Sequence, residues 1–80
     1  MGIKPIPTRK FLKYLKSLGL IKIRSEASHD CYNYPVGKPQ LIRPVIVRTK
    51  DKDVPILHIH TNLETLNITH KQFEKDIKNF

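Results

Sequence analysis

Apolar residues return at helical spacing early in the chain. Phe11, Leu12, Leu15 and Leu18 fall at i, i+1, i+4 and i+7, which is one stripe of an amphipathic helix. Tyr14 lies at its edge, and the opposite arc collects Arg9, Lys10, Lys13, Lys16 and Ser17. Thr8 is of a type that caps helix N-termini, and Gly19 of the type that ends helices in a left-handed conformation. A helix from Thr8 to Ser17 or Leu18 is therefore predicted. The period then shortens to two. Leu20 to Arg24 alternates, which assigns Ile21 and Ile23 inward and Lys22 and Arg24 outward. After the tight connection Ser25-Glu26-Ala27-Ser28, His29 to Tyr34 alternates again, and the pair reads as a hairpin. Asp30, Tyr32 and Tyr34 share one side of the second strand, and His29, Cys31 and Asn33 the other.

Pro35 ends that strand, and a loop runs through Gln40. Leu41 to Arg48 is β-rich, with Pro44 restricting it to a sheet edge or a bulge. A charged turn, Thr49 to Asp53, leads to Val54–His60, which reads as a further strand. Leu57 and Ile59 would lie on one of its faces, and Ile56, His58 and His60 on the other. Asn62 to Asn67 reads as a connection. Thr69 with Gln72 forms a capping box for a last helix, whose stripe is Phe73, Ile77 and Phe80. This order predicts one α+β domain over residues 1–80, an antiparallel sheet of three to four strands with two helices on one face. Each helix has a single stripe to bury, so the other sheet face is left open. An α-β-β-β-α arrangement of this kind resembles the double-stranded RNA-binding fold.

Charge sharpens the picture. The chain has 15 Lys and Arg against 7 Asp and Glu, a net +8. Through residue 24 there are seven basic residues and no acidic one, while the rest of the chain holds eight and seven. Nearly all the excess thus lies in the first third. Exposed helices usually interleave acids that pair at i, i+4, yet the basic arc of the first helix has none. That arc points to a polyanion, with Arg9, Lys10, Lys13 and Lys16 gripping phosphates electrostatically. A merely solvated surface, or a docking face for an acidic protein, is the alternative. No run of 18 apolar residues spans a membrane, and the N-terminus, Met1 to Pro7, carries no apolar signal core. Cys31 is the lone cysteine, so no internal disulfide can form, and a reducing cytoplasm is expected.

If Tyr32 and Tyr34 pack beneath the helices, alternation puts His29, Cys31 and Asn33 on the open face. The same geometry brings Lys22 and Arg24 there, and His58 and His60 from the later strand. Imidazoles among cations suit RNA cleavage, which needs a base for the 2′-hydroxyl, an acid for the leaving oxygen and positive charge at the phosphorus. Histidine near its unperturbed pKa of about 6.5 can make either proton transfer. His58 and His60 can also be read as exposed polar positions, or as the start of a metal site with Cys31 as third ligand; no carboxylate is placed to complete it. Cys31 reads as a small strand residue, the tyrosines as core, and His70 as a structural or partner-facing residue at a helix start.

These segments resemble the HicA (YcfA-like) toxin family. Ile6-Pro7-Thr8 leading into Phe11-Leu12, Leu15 and Leu18-Gly19 is similar to the family's opening helix and its closing glycine. Leu20 to Arg24 followed by Ala27-Ser28-His29 resembles its first strand and Gly-Ser-His signature, with Tyr32 at a position that is often aromatic. Thr69 to Ile77 resembles the start of the final helix. Ala27 stands where the family has glycine, and residues 36–53 are longer than in compact members. The resemblance implies the toxin of a type II toxin–antitoxin pair, an endoribonuclease that cleaves mRNA and blocks translation with neither metal nor other cofactor. It also implies an essential His29 and a HicB-like antitoxin as partner; Ser28 is expected beside His29 at the RNA, and the free protein is expected to be a monomer. A non-catalytic RNA-binding module is the runner-up.

Overall fold

The computed structural model describes residues 4–80; Met1 to Ile3, which enter the reading of the N-terminus, lie outside them. Strand β1 (Ile6–Pro7) leads directly into helix α1 (Thr8–Ser17), followed by β2 (Ile21–Glu26), β3 (His29–Asn33), β4 (Val45–Arg48), β5 (Asp53–Val54), α2 (Ile56–Leu66) and α3 (His70–Ile77). The main sheet is antiparallel with strand order β2-β3-β4, and β1 and β5 form a separate two-residue ladder. This is an α+β fold with three helices where the sequence pattern predicts two. No described helix is long and apolar enough to cross a membrane.

Helix α1 forms as its stripe dictates. Phe11, Tyr14 and Leu15 are buried, and Gly19 takes φ +94°. The amides of Gly19 and Leu20 donate to the carbonyls of Lys16 and Leu15, the paired closure that a left-handed residue after a helix permits. The start differs from expectation. Pro7, not Thr8, occupies the cap position, and the buried Thr8 hydroxyl donates to the Asp51 carbonyl at 2.7 Å. Thr8 therefore pins α1 to the turn before β5 instead of capping its own helix.

The predicted strand Val54–His60 does not form beyond Val54, the last residue of β5. After Val54, Pro55 adopts φ −62° and ψ 151° as the cap residue, and α2 begins at Ile56. The alternation of Ile56 to His60 spans five residues, whereas Ile59, Leu63 and Leu66 keep helical spacing across the whole segment. The longer periodicity wins because it buries Ile59 and Leu63 completely. Leu57, assigned to the same face as Ile59, is 72% exposed. Asn67 ends the helix at φ +59°, with the Ile68 amide donating to the Leu63 carbonyl. The supposed connection 62–67 is thus mostly helix.

The core joins Phe11, Tyr14 and Leu15 of α1 to Val45 and Val47 of β4, Ile59 and Leu63 of α2, and Phe73 of α3. Edge-on ring contacts, Tyr14–Phe73 at 5.2 Å and Phe11–Phe73 at 6.1 Å between centroids, lock α1 to α3. At the start of α3, the Thr69 hydroxyl oxygen accepts the Gln72 amide at 3.1 Å as the capping box predicts. The Gln72 side chain does not close the box, however, and donates to Asp76.

Candidate functional site

Register divides the sheet faces. Asp30 pairs with Val47 and Tyr32 with Val45, and both valines are buried in the core, so Asp30 and Tyr32 belong to the covered face. His29 pairs with Arg48 and Cys31 with Ile46, which places these four on the opposite face, as alternation along β3 predicts. Ile46 remains 45% exposed there. Cys31 and Asn33 share that side but are buried. Asn33 is covered by the loop after β3, whose Tyr34 and Leu41 amides donate to its Oδ1 at 2.7 and 3.0 Å.

Strand β2 departs from simple alternation. A bulge lies between Lys22 and Arg24, so that Lys22 pairs with Tyr32 while Arg24 pairs with Cys31. The extra residue flips the phase. Lys22 stays on the covered side, 3.9 Å from Asp30, and only Arg24 reaches the open face. The two do not flank His29 together. Ile21 and Ile23 are each 47% exposed rather than inward; the buried core residue of this segment is Leu20.

His29 opens β3 immediately after the two-residue turn Ala27-Ser28, with Glu26 as its partner across the hairpin. Ala27 takes φ +52°, the region that a short hairpin turn requires and that glycine occupies without steric cost. On the three strands Glu26, His29 and Arg48 form one row across the open face, and Arg24, Cys31 and Ile46 the next. Side chains paired in this way lie about 5 Å apart at Cβ.

This face forms one wall of a groove of about 450 Å³. Arg24, His29, Ile46 and Arg48 line it from the sheet, and Arg43 and Pro44 from the segment entering β4. Helix α2 supplies the other wall through His58, Thr61, Asn62 and Thr65, the i, i+3, i+4, i+7 stripe of one helical face. Asn62 anchors that wall, donating from Nδ2 to the Ile46 carbonyl at 3.1 Å.

The guanidiniums dominate the electrostatics. Arg24 Nε is 3.3 Å from Glu26, and Arg48 Nε is 3.5 Å from Asp51, while Arg43 makes no ion pair among the described residues. Hydrogen bonding to Cys31, then the charge of Glu26, hold the Arg24 guanidinium above its usual range. On the covered face, burial first and Asp30 second push the Tyr32 hydroxyl up. Three guanidiniums around an imidazole can take a phosphodiester, because the planar fork of arginine matches phosphate oxygens.

His60 lies outside the groove. Two residues along a helix turn the side chain about 200°, so His58 and His60 diverge where a strand would have aligned them. The Nδ1 of His60 lies 2.9 Å from the Nε2 of His70 on α3. The metal trio of His58, His60 and Cys31 is thus not assembled. Among the described residues no three His, Cys, Asp or Glu side chains converge as metal ligands would. The cations of α1, Arg9, Lys10, Lys13 and Lys16, belong to the helical layer on the covered side, and none lines the groove. Ser28, half-buried in the turn, adjoins His29. Sequence reasoning missed Arg43, Arg48, Thr61, Asn62 and Thr65. Arg48 follows from its alternation with Val45 and Val47, and the α2 residues become visible once 56–66 is read at helical period.

Comparison with known proteins gives no match: no family model fits the chain, and no curated protein or solved structure is significantly similar to it.

Proposed function

We propose that this chain binds RNA and cuts it, acting on mRNA as the toxin of a type II toxin–antitoxin pair of the HicA kind. One observation carries the proposal: His29 lies on the open sheet face directly opposite Arg48, in a groove that Arg24 and Arg43 also line. An imidazole there can move a proton at the 2′-hydroxyl or the leaving oxygen, and the guanidiniums offset charge that builds on the phosphorane. The chemistry asks for no metal. Ser28 adjoins His29 at the turn, and the order α1-β2-β3-β4-α2 agrees with a double-stranded RNA-binding-like fold. The resemblance to the HicA family, Ser28-His29 foremost although Ala27 replaces the glycine before them, supports the same reading. With it come a HicB-like antitoxin as protein partner and a cytoplasmic site of action.

A non-catalytic RNA-binding module is the second reading, favoured by the basic arc of α1 in a different layer from His29. Such a module recognises A-form RNA through phosphates and 2′-hydroxyls alone. The test is cleavage of a long unstructured RNA in the presence of chelator, wild type against His29→Ala, with binding measured separately. We expect wild type to cut and His29→Ala to bind with similar affinity but not cut. Equal binding with no cutting by either protein would leave the binding module in place.

A further inference from the structure

We infer that His58 is the second proton carrier of this site, so that cleavage is a transesterification leaving a 2′,3′-cyclic phosphate and a 5′-hydroxyl. The inference rests on the ribonuclease reading above and deepens it. In that reaction the 2′-oxygen forms a bond to phosphorus as its proton passes to a base. The bond from phosphorus to the 5′-oxygen breaks, and that oxygen takes a proton from an acid. Attacking and leaving oxygens stand on opposite sides of phosphorus, so base and acid must approach from different directions.

The groove supplies two walls. His29 projects from the sheet wall and His58 from the α2 wall, and the guanidiniums of Arg24, Arg43 and Arg48 line the same space. Other protonatable side chains fail on position. His60 is turned away and engaged with His70, Cys31 is buried, and Tyr32 belongs to the covered face. Glu26 shares the wall of His29 and is paired with Arg24. The groups across the groove from His58 are His29, Arg24 and Arg48 on the sheet and Arg43 on the segment entering β4, and its helical neighbours on that wall are the neutral Thr61, Asn62 and Thr65. The guanidiniums would stabilise the anion forming between the two histidines.

Leaving-group chemistry separates an acid from a residue that only shapes the groove. Single-turnover cleavage is measured on an RNA with one linkage carrying sulfur in place of the 5′-oxygen, and on its all-oxygen counterpart. On the oxygen substrate, His29→Ala and His58→Ala should each lose roughly 10²–10⁴-fold, His58→Gln should be as slow as His58→Ala, and His60→Ala should match wild type. Sulfur leaves without a proton, so one of the two alanine variants, and only one, should return to nearly the wild-type rate on that substrate. Wild-type product should end in a cyclic phosphate. An active wild type with an equally active His58→Ala overturns the role of His58 while the ribonuclease reading survives. Rescue of both variants, or of neither, also overturns it. A wild type that cuts nothing removes the reading and the inference together.

Discussion

Ala27 shows how much a single residue decides here. It precedes His29 by two positions and holds φ +52°, where a Cβ meets the following carbonyl at a cost of about 1–2 kcal/mol. Glycine avoids that cost but brings a more flexible unfolded chain, worth about 0.4–1 kcal/mol. Ala27→Gly should therefore leave stability unchanged or raise it by up to about 1.6 kcal/mol, read as the midpoint of urea unfolding. A lower midpoint would show that alanine is not strained in this turn. The sequence raises the issue only through the resemblance, which has glycine where Ala27 stands; the two-residue turn itself, in place of the predicted connection Ser25–Ser28, comes from the structure. Nor does the sequence expose the bulge beside Lys22. Both Lys22 and Arg24 satisfy the alternating pattern, and only pairing against β3 reveals the phase change that sends them to opposite faces.

At the level of elements, legibility follows the length of the periodic signal. Helix α1 and strand β3 carry unambiguous patterns and both form, although Thr8 does not cap α1 and β3 stops at Asn33 rather than Tyr34. Helix α2 was hidden because Ile56 to His60 satisfies a strand pattern over a short window. Pro55 before it, the spacing of Ile59, Leu63 and Leu66, and Asn67 after it are the signals that decide otherwise. Reading the segment as a helix is also what separates His58 from His60. Packing between α1 and α3 makes its own prediction through Tyr14. Its ring is buried and its hydroxyl donates to Asp76 at 3.3 Å. Burial, then the Asp76 charge, push its pKa up to about 12 from 10. A raised folded-state value favours the protonated phenol, so this contribution is full below about pH 10 and is lost as pH rises toward 12. Thermal melting should fall more steeply over that window in wild type than in Tyr14→Phe; parallel curves would show that Tyr14 is not the group responsible.

For the whole molecule, charge and chemistry occupy different layers. The basic arc of α1, conspicuous in the sequence, lies with the helices, whereas the groove on the open sheet face draws its cations from Arg24, Arg43 and Arg48. Charge counting finds the first and catches only Arg24 of the second, because Arg43 and Arg48 are scattered among the acids of the later chain and join Arg24 only through the antiparallel pairing of β3 with β2 and β4. In the proposed function the scissile phosphate would sit in the groove and α1 would contact flanking backbone. Backbone amide NMR with an RNA made uncleavable by 2′-methoxy groups tests this placement most directly. Shifts should concentrate on Arg24, Ser28, His29, Ile46, Arg48 and His58, with smaller changes along α1. Changes confined to α1 and α3, with the groove signals unmoved, would contradict the account and leave a basic binding surface in its place.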